Sequence, residues 1–126
     1  MEKIVINNGQ EFELIPMGIN TNEFTKRRIF KFKSNLTYAD VLAMFSEYEN
    51  IEKIDYILAD GTVGKTYLDC VKLIHFGFSP NYEVDENTTA DIFIVELSVD
   101  SFEKKLKEMN SNLDDLANTV VMVSMQ

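Results

Sequence analysis

The stretch Ile57–Asp69, ILADGTVGKTYLD, decides between two different folds. Its residues 59–66, ADGTVGKT, fit a relaxed phosphate-loop pattern in which Ala59 replaces the first glycine. A working phosphate loop is followed by a helix, whose backbone N–H groups and dipole hold the phosphates. The segment after Thr66, YLDCVKLIHFGFS, instead has the β-branched and aromatic residues that favour a strand. We therefore predict that Asp60-Gly61 is the turn of a β-hairpin.

The nucleotide-binding alternative would use Gly64, Lys65 and Thr66 to hold phosphates. It also needs a later strand that ends in an Asp for magnesium, whereas the candidate DIFIVEL ends in Glu96 and Leu97. The sixty residues after Thr66 leave too few parallel strands for a doubly wound sheet. We predict no catalytic residue, no cofactor and no metal site, and hence a protein that is not an enzyme.

Length and charge restrict the class of protein further. The chain has 126 residues and a net charge of −9, which predicts one acidic domain that binds neither nucleic acid nor an anionic membrane. Cys70 is the only cysteine, so neither an intramolecular disulfide nor a cysteine zinc site can form. No segment has the apolar length of a signal peptide or a membrane span, and this predicts a cytoplasmic location.

The pattern of apolar residues predicts an α+β fold with an antiparallel, meandering β-sheet. Asn8-Gly9 is the turn of an opening hairpin, Pro16 and Gly18 interrupt the pattern, and NTNEFT is a loop. Thr37 caps a short inserted helix near residues 37–49. Three later strands are predicted, separated by the Asp60-Gly61 turn and by the polar loop SPNYEVDENTTAD: Ile51–Ala59, Thr62–Phe78 with a bend, and Ile92–Val99. Residues 1–99 thus form a β-rich domain.

The segment KRRIFKFKS forms a strand with a basic outer face. Phe30 and Phe32 point to the core together with Arg28, while the residues Arg27, Lys31 and Lys33 point outwards. This alternation favours a charged edge strand that discourages aggregation over a surface that stacks nucleic-acid bases. A docking surface for an acidic partner, such as another copy of this acidic chain, is the alternative.

Two other groups of polar residues are interpreted as structural. On a regular strand His75 points away from Cys70, which excludes a Cys–His nucleophile pair unless a bulge intervenes. The acidic residues Glu83, Asp85, Glu86 and Asp91 lack the spacing of an EF-hand, so we interpret them as a solvated loop.

Residues 100–123 predict a long amphipathic C-terminal helix. Apolar residues recur at alternating steps of four and three, which indicates a coiled-coil seam over three heptads. The seam residues are Phe102, Leu106, Met109, Leu113, Leu116, Val120 and Val123. We expect this helix to pair between chains in a homo-oligomer; the alternative is that it packs on its own sheet.

The order of these elements resembles that of small structural proteins of phages and prophages of Gram-positive bacteria. The resemblance lies in the opening hairpin IVINNGQEFEL, the capped helix LTYADVLAMF, the turn at Asp60-Gly61 and the closing segment VELSVDSFEKKLKEMNSNLDDL. It implies a non-enzymatic tail or virion protein that assembles with itself and with other phage structural proteins. The sequence hypothesis is therefore a self-associating structural protein. Its alternatives are a nucleotide-binding protein that uses residues 59–66 and a regulatory module that binds an acidic partner through strand 26–33.

Overall fold

The computed structural model of the chain describes residues 1–22 and 24–99, which form seven strands and two short helices. The elements are β1 (Lys3–Ile6), β2 (Glu11–Asn22), β3 (Arg27–Lys33), α1 (Tyr38–Ser46), α2 (Tyr48–Ile51), β4 (Ile54–Ile57), β5 (Val63–Tyr67), β6 (Cys70–Asp85) and β7 (Thr88–Val99). One sheet contains all seven strands in the order β5-β4-β1-β2-β3-β7-β6, and all neighbouring strands are antiparallel.

The sheet curls until its first and last strands meet at one corner. β5 and β6 occupy opposite ends of the strand order, yet only Leu68 and Asp69 separate them in the chain. Two linking residues allow at most about 11 Å between the Cα atoms of Tyr67 and Cys70. The sheet is therefore a partly open barrel rather than a flat surface.

Aromatic side chains fill the inside of the barrel. Phe12, Phe32 and Phe45 are fully buried, and the ring of Phe32 lies 4.5 Å from that of Phe12 and 5.6 Å from that of Phe45. Phe45 and Val41 belong to α1, so this helix covers the core where the strands leave it open. Each fully buried Phe contributes roughly 1.5–3 kcal/mol relative to an exposed one.

Several local predictions are confirmed. The opening hairpin pairs β1 with β2, and the Asp40 N–H donates to Thr37 Oγ1 at 3.1 Å, which caps α1. At the predicted turn the Gly61 N–H donates to the Leu58 carbonyl at 2.9 Å, and Gly61 has a φ of 89°. β4 and β5 flank this turn as an antiparallel pair, as the hairpin interpretation requires.

The predicted α+β class is wrong for the part of the chain that the structure describes. The described chain is dominated by antiparallel sheet, and its two helices are nine and four residues long. This fold also conflicts with the classification as a coiled coil. The predicted helix 100–123 and its seam lie outside the described residues. The sheet is not a simple meander, because β1 lies between β2 and β4, and β7 lies between β3 and β6.

The predicted interruption at Pro16 and Gly18 is a β-bulge within one long strand. β2 continues to Asn22, and its register with β3 shifts between Leu14 and Ile19. Gly18 is required there, because a Cβ atom at this position would lie 2.5 Å from the Lys31 carbonyl oxygen. The bulge absorbs the irregular residues, so NTNEFT begins as strand rather than as loop.

Two later predictions also need correction. The single strand expected over Thr62–Phe78 is two strands, β5 and β6, at opposite edges of the sheet. The expected loop SPNYEVDENTTAD belongs mostly to the long β6–β7 hairpin, with Glu86-Asn87 at its turn. β5 pairs with β4 whereas β6 pairs with β7, and local composition does not reveal this division. The tip of the β6–β7 hairpin was interpreted as a loop because its residues are polar.

Candidate functional site

The three predicted basic residues lie on the outer face of β3, but the strand is not at an edge. β3 pairs with β2 on one side and with β7 on the other. Arg27 Nε lies 3.7 Å from Glu96 Oε1, and Lys31 Nζ donates to the Tyr82 hydroxyl at 3.1 Å. Lys33 pairs in register with Glu13 of β2. The edge-strand interpretation is therefore wrong, and these three cations each face a polar residue of a neighbouring strand.

The Arg28 side chain points into the barrel and binds the connection between β5 and β6. Its Nη2 atom binds both carboxylate oxygens of Asp69, at 3.0 and 3.2 Å, and its guanidinium carbon lies 4.1 Å from the ring centre of Tyr67. Arg28 is only 6% exposed, and its Nε has no hydrogen-bond partner among the described residues. The alternation of β3 predicts the inward direction of Arg28, but no sequence pattern predicts Asp69 as its partner.

A groove runs beside the start of the chain, between the bulge of β2 and the tip of the β6–β7 hairpin. Its volume is about 760 Å³. The lining residues, which define the groove, are Met1, Glu2, Glu13, Leu14, Ile15, Pro16, Met17, Lys33, Tyr56, Ala59, Val84, Asp85 and Thr88. A second hollow of about 420 Å³ shares Met1, Glu2, Glu13 and Ala59 with it, and thereby extends it towards the β4–β5 turn.

The groove combines apolar and acidic side chains. Met1 and Met17 are 79% and 90% exposed, although both side chains are apolar. Among the described lining residues, Glu2, Glu13 and Asp85 supply three carboxylates, and Lys33 is the only lysine. Flexible methionine side chains adapt to the shape of a partner, and unpaired carboxylates attract cations. The groove is therefore suited to an apolar surface that carries positive charges.

Tyr56 and Glu2 form a polar contact in the wall of the groove. Two effects raise the pKa of the Tyr56 hydroxyl above its ordinary value: the hydrogen bond to Glu2, which is the larger, and desolvation. Tyr56 therefore remains neutral at physiological pH. Glu2 and Tyr56 thus link the start of the chain to β4.

A small basic pocket lies at the opposite end of β3. Its volume is about 210 Å³, and its lining, which defines it, consists of Thr25, Lys26, Arg27, Lys72, Ile74, Ser98 and Val99. Arg27 and Lys72 both pair in register with Ser98 of β7, so β7 holds them on either side of one position. Among the described residues, three cations and no carboxylate line the pocket. The sequence pattern indicated Arg27 but not Lys72, which only the β6–β7 pairing brings close.

β5 forms an edge of the sheet and contains the residues of the phosphate-loop alternative. Gly64, Lys65 and Thr66 are exposed, and they lie in an antiparallel strand instead of at the start of a helix. The outer side of β5 has no strand partner among residues 1–22 and 24–99. Lys65 Nζ lies 5.0 Å from the ring centre of Tyr67, so the lysine charge lies beside this ring at the β5 edge of the sheet.

The other candidate groups do not come together. Cys70 is fully buried in the core, whereas His75 is exposed and pairs with Glu96. Within residues 1–22 and 24–99 no group of three or more His, Cys, Asp or Glu side chains could hold a metal ion. The seam residues named for the C-terminal segment lie outside the described part of the chain.

The chain matches no known family model, and comparison with curated proteins and with solved structures finds no match. The resemblance to phage structural proteins therefore stays a prediction from the layout of the sequence. In the part of the chain that the structure describes, no helix is long and apolar enough to cross a membrane.

Proposed function

We propose that this protein is a non-enzymatic interaction protein that self-associates and acts in the cytoplasm, with the groove as its main binding surface. The observation that carries the proposal is the exposed apolar lining of the groove. Met17 is 90% exposed beside Pro16, and the described residues leave its apolar side chain in water, so a partner that enters the groove would cover it. Covering one such side chain contributes roughly 1.5–3 kcal/mol to association.

The shape of the groove also suits a protein partner. The groove and its extension are open hollows along the start of the chain, bordered by the β2 bulge and two hairpins. Strands fix both walls, so a partner would meet a largely preformed surface, which lowers the entropic cost of binding. Self-association is favoured among protein partners because the chain carries its own basic surface, the basic pocket, at the other end of β3.

Substitution of Met17 tests the proposal. Met17 has a φ of 55°, and Asn tolerates such a backbone conformation, so Met17→Asn should fold. The amide at this position would have to lose its water in the complex and gains no ionic partner, and we expect the dissociation constant of the oligomer to rise about tenfold or more. Met17→Leu keeps an apolar side chain and is the matched control, which should associate as the wild type does. Equal association of all three proteins would overturn the assignment of the groove.

A further inference from the structure

We infer that the groove of one copy binds the basic pocket of a second copy, in a closed two-fold dimer that contains this contact twice. The inference rests on the proposed self-association and adds the identity of both contacting surfaces. It follows from where the structure places charges of opposite sign at the two ends of β3.

The outer face of β3 runs from a positive end to a negative end. Arg27 begins the strand in the basic pocket with Lys26 and Lys72, and Lys33 ends the strand in the groove with Glu13. Six residue steps separate Arg27 from Lys33, which corresponds to about 20 Å along the strand. The two surfaces are thus distinct but share one side of the sheet.

Charge decides which surfaces can meet. Two grooves face to face would oppose Glu2, Glu13 and Asp85 with the same three carboxylates. Two basic pockets face to face would oppose three cations with three cations. Both arrangements bring like charges together and are disfavoured, whereas a groove against a basic pocket pairs opposite charges.

The side chains at both surfaces are free enough to reach a partner. Lys26 and Lys72 are exposed, and neither forms an ion pair among the described residues. In the groove, Asp85 is exposed and Glu13 is half-buried. Because the long stems of lysine cover apolar surface, Lys26 and Lys72 could also pack against Met17 of the other copy.

Symmetry favours a closed dimer. When two copies face each other with their β3 strands antiparallel, the basic pocket of each lies opposite the groove of the other. In such a two-fold arrangement the groove and the basic pocket of each copy are both in contact with the other copy. Two-fold dimers are the commonest assemblies of identical chains. Each contact occurs twice, so the loss of one surface in every copy removes both contacts.

A charge-exchange experiment tests the inference. One full-length variant carries Glu2→Lys and Glu13→Lys, which makes its groove basic; the other carries Lys26→Glu and Lys72→Glu, which makes its pocket acidic. We expect each variant alone to associate at least about tenfold more weakly than the wild type in sedimentation velocity. An equimolar mixture should form a one-to-one dimer, because a basic groove then meets an acidic pocket and the other contact remains native.

Matched variants control for the change in net charge. Glu47→Lys with Glu49→Lys, and Lys53→Glu with Lys65→Glu, change the charge equally at exposed positions outside both surfaces. They should associate as the wild type does, and circular dichroism should show all four variants folded. Dimers of either surface variant alone, or a mixture that stays monomeric or forms larger assemblies, would overturn the inference while self-association stands. A wild-type protein that remains monomeric at high micromolar concentration would instead overturn the proposed function.

Discussion

Arg28 and Asp69 are 41 positions apart in the chain, and their side chains join the central strand β3 to the connection between β5 and β6. Arg28 Nη2 lies 3.0 Å from Asp69 Oδ2, beneath the connection formed by Leu68 and Asp69. The Arg28 side chain is 7% exposed and that of Asp69 is 38% exposed. The carboxylate thus compensates a charge that the barrel keeps away from water.

Asp69→Asn should destabilise the fold by about 1–3 kcal/mol, because it leaves the buried guanidinium without its counter-charge. The partial exposure of Asp69 keeps the loss below that of a fully buried ion pair. Chemical denaturation followed by circular dichroism measures the change. Glu83→Gln is the control. Glu83 is an exposed acid, so this variant should unfold at the same denaturant concentration as the wild type. Equal stability of Asp69→Asn and wild type would show that the corner does not depend on this pair.

Phe32→Ala should destabilise the protein by about 3–5 kcal/mol, because Phe32 is fully buried between Phe12 and Phe45 and its loss leaves a cavity. Phe24→Ala removes the same side chain at a fully exposed position and should change stability by less than about 0.5 kcal/mol. Thermal denaturation of the two variants compares them directly. A similar cost for both substitutions would contradict the described core.

Lys65→Ala should leave the fold unchanged to within about 0.5 kcal/mol, because Lys65 is exposed on the edge strand β5. Magnesium-ATP should likewise not shift the melting temperature of the wild type, since Gly64–Thr66 lies in a strand and not at a helix start. Differential scanning fluorimetry with and without the nucleotide measures both. A stabilisation by ATP that disappears in Lys65→Ala would favour the nucleotide-binding alternative.

Alkaline pH should destabilise the wild type more than a Tyr67→Phe variant. Burial raises the pKa of the Tyr67 hydroxyl, although the nearby Arg28 guanidinium acts in the opposite direction. Because the pKa is higher in the folded than in the unfolded chain, this contribution is complete below pH of about 10 and is lost as the pH rises through the folded value. Denaturation midpoints across this range give the comparison. Parallel pH profiles for the two proteins would contradict the effect.

The sequence predicted local structure better than it predicted pairing. Thr37 marked the start of α1 and Gly61 marked the β4–β5 turn, because capping and positive φ depend on neighbouring residues. Alternation placed Phe30 and Phe32 inwards correctly, yet it could not show that β3 lies between β2 and β7, since a half-buried strand has the same pattern at an edge or in the centre. The break at Leu68-Asp69 was missed because neither Gly nor Pro marks it.

The candidate site was predictable only in part, for the same reason. Arg27 and Lys33 were recognised as outward charges, but Lys72 joins Arg27 through the β6–β7 register, and Glu13 joins Lys33 through the β2–β3 register. The groove also needs the bulge that exposes Met17, and this bulge appeared in the sequence only as an interruption by Pro16 and Gly18. Long-range pairing therefore creates both proposed binding surfaces.

Sedimentation velocity over a range of concentrations measures the self-association of the wild-type chain. Self-association predicts a reversible shift from monomer to dimer as the concentration rises, and a weaker shift at high salt because opposite charges meet at the interface. A single monomeric species up to high micromolar concentration at low salt would show that the chain does not self-associate.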